Sequence, residues 1–352
     1  MQLTILILFL FLLSSCNADV LGFPEPEWDC VTPESMGLDS ELLRQSREYA
    51  LTGDGSGCVI FRGKMVSVWG ERKKLYDLKS SSKSIGVSLL GVALKEKKVA
   101  LNDAAIRFQP SLAIPPESNR ETGWIPKITI QMLAEQTAGF DKPGKDAHLL
   151  FEPGTVWSYS DAGPNWLAEC LTLAFRRDLN EVIFEKIFIP IGISPQDIQW
   201  RKHVYRPEKI DGILNREFGS GFSANIEALS RIGYLYLREG TWKDNEILPT
   251  PFVRMISQPM PRGSEFPTNH KKEYGSAAQH YSILWWNNND GKISEIPKDA
   301  FWAWGLYDSI ILVIPSLDLV AVRTGKSWSR QPNSDHYDVL KPFFIPIAAA
   351  VK

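Results

Sequence analysis

Ser80-Ser81-Ser82-Lys83 opens a long apolar stretch with helical spacing. Serine and lysine three positions apart lie on one face of a helix, a turn from each other. A serine at a helix start lies where backbone N–H groups are unpaired and the helix end is positive. A lysine one turn on can act as a base once desolvation strips its proton. That is the layout of a serine nucleophile with a lysine partner. Ser and Lys are common residues, so the spacing needs support from elsewhere in the chain.

Rival chemistries find little footing. The five histidines, at 148, 203, 270, 280 and 336, contain no i, i+4 pair, and no Cys-x-x-Cys occurs. A zinc site is therefore not expected, and the chemistry proposed for Ser80 needs no metal or cofactor. No Gly-x-Ser-x-Gly occurs, which argues against an α/β-hydrolase. A net charge of -2 in 352 residues gives no reason to expect nucleic acid as a partner. With 44% hydrophobic and 23% charged residues, the chain can bury a large core.

The elements that must position Ser80 follow from patterning. Residues 38–51 have helical spacing. Cys58 to Phe61 and Met65 to Trp69 are β-type runs around Arg62-Gly63-Lys64, which reads as a hairpin. The helix from Ser80 carries Ile85, Val87, Leu89, Leu90, Val92 and Leu94, apolar on most sides, and belongs at the centre of a domain. Residues 102–228 read as loops and helices, with one helix starting at Ile128 and another over 165–175. A further helix covers 226–237, stopped by Arg238-Glu239-Gly240. Strands are expected over 282–286, 300–304, 309–314 and 319–323, with a turn at Pro315 to Asp318 and a closing helix over 337–351. Strands at both ends around a helical insertion imply an α/β fold whose sheet is built from both termini. On the strand over 300–304, alternation sends Phe301 and Ala303 to one face and Trp302 and Trp304 to the other.

Residues 3–13 form an apolar run ending in Leu13-Ser14-Ser15-Cys16. The run is far short of the ~20 residues a membrane-spanning helix needs and fits the core of an export signal. Leu-Ser-Ser-Cys resembles a bacterial lipoprotein box, with Cys16 as the lipidated residue. Export to a periplasmic or membrane-anchored location follows, with 1–16 as signal, 17–36 as a Pro-rich linker and 37–350 as one domain. Cys30, Cys58 and Cys170 then remain, which allows at most one bridge, Cys30–Cys58, or three free thiols.

Taken together the motifs resemble the serine β-lactamase and penicillin-binding-protein superfamily, in its class C β-lactamase and esterase branch, from about Gly37 to Ile347. Ser80-x-x-Lys83 is the first motif. Pro153-Gly154-Thr155-Val156-Trp157-Ser158-Tyr159-Ser160-Asp161 is similar to the family's Pro-Gly-x-x-x-x-Tyr-Ser-Asn segment. Ile128-Thr129-Ile130-Gln131-Met132-Leu133 with Thr137-Ala138-Gly139, and Gly221-Phe222-Ser223-Ala224 before the helix of Arg231, match further landmarks in order. The resemblance implies a β-lactamase/transpeptidase-like fold, an antiparallel sheet flanked by helices. It implies Ser80, Lys83 and Tyr159 as catalytic residues, with Tyr159 taking the serine proton and later giving it to the leaving group.

Two departures stand out. The family's third motif, Lys-Thr-Gly or His-x-Gly, precedes the last turn. Counting back from Pro315 puts it at Ala303-Trp304-Gly305, so Ala303 replaces the basic residue. Leu306 would supply the second oxyanion N–H beside that of Ser80, with Gly305 and Trp304 lining the substrate. Arg323-Thr324-Gly325 is a tempting match on the wrong side of the turn. Asp161 stands where the family has asparagine, and an ionised carboxylate there accepts but cannot donate. Near Lys83 it would favour the ammonium and shift the base role to Tyr159; otherwise it caps a loop. The reading is an exported serine hydrolase acting on a small ester or amide. The alternatives are a β-lactamase or D-Ala-D-Ala peptidase, and an inactive binding protein of the same fold.

Overall fold

The computed structural model describes residues 22–142, 148–258, 263 and 265–351. The signal-like run and Cys16 lie outside the described residues. In chain order the elements that build the site are α1 (Ser40–Leu51), β1 (Ser56–Phe61), β2 (Lys64–Trp69), β3 (Tyr76–Asp77), α2 (Ser81–Gly86) and α3 (Ser88–Lys95). Then come α4 (Ala162–Phe175), β4 (Ile198–Trp200), β5 (Phe222–Ala224) and α5 (Ile226–Leu237). The last third holds β6 (Tyr281–Ser282), β7 (Trp285–Asn287), β8 (Phe301–Trp304), β9 (Ile310–Ile314), β10 (Leu319–Thr324) and α6 (Lys341–Ala349).

The main sheet has the order β6-β7-β8-β9-β10-β1-β2, and each neighbouring pair is antiparallel. The β1–β2 hairpin turns through Arg62 and Gly63, both at positive φ (48° and 76°), which suits the twist of the two strands. Because β1 pairs with β10 from Ser56↔Thr324 to Phe61↔Leu319, the two ends of the chain close one sheet. Helix α5 lies on one face. Gly233 allows the close approach there, since a Cβ would fall 2.6 Å from Val320 Cγ1. Helices α1 and α6 cover the other face, where Trp302 meets Phe344 and the Ser46 hydroxyl donates to the Phe343 carbonyl (2.9 Å). The strand alternation places Phe301 against Tyr236 of α5, on the face opposite Trp302.

The fold refines several expectations. The helix from Ser80 is interrupted at Val87: the Leu90 N–H bonds the Val87 carbonyl (2.8 Å), a three-residue step in a four-residue ladder. The strand expected over 282–286 is instead a tight hairpin of β6 and β7, because Ile283 and Leu284 turn through positive φ (48° and 59°). Those apolar residues carry no turn signal; the Leu284 N–H bond to the Ala134 carbonyl (2.9 Å) fixes them. The closing helix starts at Lys341, not Tyr337. The insertion carries β4 and β5, which join β3 in a small sheet of order β3-β5-β4. The stretch read as a linker is packed where it is described. Trp28 is buried with its indole N–H on Ser230 Oγ (2.9 Å), and the Val31 N–H bonds the Met65 carbonyl (3.1 Å) at the edge of β2. Cys30 is exposed, Cys58 and Cys170 are buried, and all three are free, so the candidate Cys30–Cys58 bridge is absent.

Candidate active site

The serine-rich start of α2 is a junction. Ser81 Oγ donates to the Ser309 carbonyl (2.6 Å), and Ser84 Oγ donates to the Leu284 carbonyl (2.7 Å). Ser82 Oγ accepts from the Phe222 N–H (3.1 Å). Each of these serines thus ties the helix to a different part of the fold and leaves Ser80, at the N-cap, half-buried at the surface of the junction. Lys79 before it adopts a left-handed conformation (φ 49°), uncommon for a lysine and held by its N–H bond to Asp77 Oδ1 (3.0 Å).

Lys83 is 1% exposed, and its three N–H donors are all used. Nζ donates to Ser80 Oγ at 3.0 Å, to the Gly219 carbonyl at 2.9 Å, and to Asp161 Oδ1. Burial alone would pull the ammonium down, but the Asp161 carboxylate and Tyr159 outweigh it and hold the pKa above its ordinary value. Lys83 is thus a cation touching the candidate nucleophile. Asp161, N-terminal to α4, keeps 55% of its side chain exposed while gripping Lys83. It makes no side-chain cap to α4, so the loop-capping alternative does not hold.

Tyr159 is 9% exposed, and Lys83 Nζ lies 5.0 Å from its ring centroid. Its ring stacks on Tyr274 (5.4 Å) and Trp286 (6.0 Å), and Trp286 meets Trp304 (6.0 Å). Trp304 packs against His336 (4.6 Å). Burial pushes His336 down to about 4, so this wall carries a neutral imidazole at neutral pH.

The third segment lies against α2. A Cβ on Gly305 would sit 2.1 Å from the Leu78 carbonyl oxygen and 3.0 Å from Ser81 N, so only glycine allows this contact. The Asp308 N–H bonds the Gly305 carbonyl (2.8 Å), which makes Leu306 and Tyr307 the tip of a turn. That turn leaves the Leu306 N–H without a backbone partner among the described residues. Buried Asp308 fixes the turn, accepting from Trp304 Nε1 (2.9 Å), Trp328 N–H (2.8 Å) and Arg330 Nη2 (2.7 Å). Ala303 is buried in β8 and brings no charge. Arg323 does not substitute for it: fully buried, it donates to the carbonyls of Tyr307 (2.6 Å), Gly53 (2.9 Å) and Lys326 (2.7 Å).

The structure adds residues that no motif marked. Gly219 is held on both sides, its N–H on Asn165 Oδ1 (2.8 Å) and its carbonyl on Lys83. Gln136 grips the Tyr159 loop with both ends of its amide: Nε2 donates to the Ser160 carbonyl (2.9 Å) and Oε1 accepts from the Ser160 N–H (3.1 Å). It follows Glu135 just before the Thr137-Ala138-Gly139 landmark, the one signal that could have pointed to it.

The chain was compared with known proteins. A family profile described as Beta-lactamase matches residues 58–339. An uncharacterized protein of Alkalihalophilus pseudofirmus is 22% identical over an alignment of 228 residues, in a match that covers 57% of this chain and 61% of that protein. The chain thus spans less than two thirds of that curated relative. A mutant of simvastatin synthase from Aspergillus terreus superposes with a TM-score of 0.66 at 15% identity, over 89% of this chain and 98% of that one. EstCE1, a hydrolase with promiscuous acyltransferase activity, gives 0.66 at 16% identity, over 89% and 99%. At such identities the likeness is one of fold.

Proposed function

The chain belongs to the β-lactamase family, and on that premise we propose that it is a serine hydrolase cleaving an ester or amide through an acyl-enzyme on Ser80. The observation that carries this reading is the buried Lys83 ammonium, which meets Ser80 Oγ at 3.0 Å. A cation beside a hydroxyl favours its ionisation in the attack. Since all three Lys83 donors are engaged and its pKa is raised, Tyr159 is the base, acting as its phenolate beside the Lys83 ammonium. The phenolate takes the proton as Ser80 Oγ bonds to the carbonyl carbon. The oxygen that becomes negative is held by the N–H groups of Ser80 and Leu306. Tyr159 returns the proton to the leaving group, and water then cleaves the acyl-serine.

A fluorophosphonate probe should label Ser80, located by mass spectrometry. Ser80→Ala should abolish turnover of a nitrophenyl ester and leave folding intact. Turnover persisting in that variant, with the adduct on another serine, would refute the assignment. We also propose export, with a lipid anchor on Cys16, from the apolar run and the Leu-Ser-Ser-Cys sequence. Palmitate incorporated into the wild type but not into Cys16→Ser is the expected result.

A further inference from the structure

Arg201, at the end of β4, stands on the Gly219–Gly221 side of the site. Its Nη2 lies 2.8 Å from Ser220 Oγ and 2.6 Å from Glu217 Oε1. Ser220 follows Gly219, whose carbonyl accepts from Lys83. The Arg201 N–H bonds the Gly221 carbonyl (3.1 Å), and its positive charge acts on Lys79, the residue before Ser80. The guanidinium is therefore at the rim of the nucleophile's cleft, with 44% of its side chain exposed.

Its counter-ion is unlike it. The Glu217 side chain is 1% exposed, and neither of its oxygens makes a directed hydrogen bond among the described residues. Burial pushes the carboxyl up to about 7, with Asp161 adding to the rise and Arg201 and Lys83 opposing it. Arg201 commits Nη2 to Ser220 and Glu217, and its half-exposed guanidinium carries further donors in a planar fork suited to a carboxylate. Tyr205, whose ring is 5.9 Å from the guanidinium carbon, flanks it with apolar surface.

The direction of the substrate follows from the proton path. The leaving group takes its proton from Tyr159, on the side of the Tyr274 and Trp286 wall. Resting on the serine hydrolase reading, we propose that the portion left on Ser80 extends towards Ser220, and that Arg201 determines specificity by binding a carboxylate on it. The preferred substrates are then monoesters or monoamides of dicarboxylic acids.

The test compares 4-nitrophenyl hydrogen adipate with its uncharged methyl ester on the full chain. The ratio of the two kcat/KM values should fall about tenfold in Arg201→Gln, the loss of one charge-assisted hydrogen bond. The same ratio should rise in Glu217→Gln, where the buried competitor for the guanidinium is uncharged. A ratio unmoved in Arg201→Gln, or not raised in Glu217→Gln, overturns the proposal. If the wild type hydrolyses neither ester, the hydrolase reading fails separately. Adipate binding measured by calorimetry, on the Ser80→Ala protein with and without Arg201→Gln, then decides: equal affinities overturn the role of Arg201, and weaker binding without it supports that role.

Discussion

Lys83 and Arg323 are both buried cations, 1% and 0% exposed, and their surroundings differ in kind. Arg323 is caged by neutral carbonyl oxygens and lies 4.5 Å from the Trp328 ring. Burial pulls it down to about 10. Lys83 has one carbonyl, one carboxylate and one serine hydroxyl, and its pKa is raised. The carbonyl cage ends inside the protein, whereas two of the three Lys83 partners open to the cleft. A buried charge is thus read by where its partners lead: Arg323 fastens the Tyr307 turn, and Lys83 brings a cation to the candidate nucleophile.

Truncating each cation tests the contrast most strongly. Lys83→Met should lower ester kcat/KM by about a hundred- to a thousandfold with folding retained, the scale of a lost electrostatic partner in the attack. Arg323→Met should instead destabilise the fold by about 3–5 kcal/mol, because its carbonyls are left without donors. Thermal unfolding and ester kinetics below the melting range separate the two. Equal losses of activity in both variants would erase the distinction.

A smaller effect tests the strand beside them. Arg323 is caged and Lys326 is paired to Asp54 (2.7 Å), so neither replaces the cation missing at Ala303. A β-lactam carboxylate that anchors on that strand in the family then finds no charge on the strand itself, so nitrocefin should be turned over about 10–100-fold less efficiently than a short neutral ester. Turnover of nitrocefin equal to that of the ester would show that a cation does reach the strand.

The smallest effect sharpens the account of Lys83. Asp161 raises the Lys83 pKa and burial lowers it, so in Asp161→Asn only the lowering cause of that pair remains. Lys83 should lose its proton at lower pH, and the alkaline limb of the pH–rate profile should move down. A limb that stays in place would mean that Asp161 does not govern the charge on Lys83.

What the sequence made legible was local. The β1–β2 hairpin, α5, and the Ser80–Lys83 spacing are each written in a few consecutive residues, and the fold reproduces them. Asp161 beside Lys83 was legible as one of two options, and the geometry chose between them. The hairpin at Ile283 and Leu284 was not legible, because a distant backbone contact and not turn chemistry bends it. Gly219 and the Arg201–Glu217 pair act through partners far along the chain, so no spacing reveals them, and for Gln136 only its place before the Thr137-Ala138-Gly139 landmark gave a signal. Arg323 misled for the same reason: its motif-like neighbours Thr324 and Gly325 say nothing of which side of β10 faces the protein interior.

The turn that carries Leu306 has one further consequence. Its shape is set by Gly305, by Asp308 and by Arg323 beneath it, and not by the Leu306 side chain, which is 67% exposed. The hydrogen-bond donor that this turn offers is a main-chain group, identical in every residue except proline. The Leu306 side chain can therefore change freely, while the Tyr307 ring meets the Lys79 ammonium (5.0 Å), so the surface over this turn can diversify at one position over generations while the donor stays where it is.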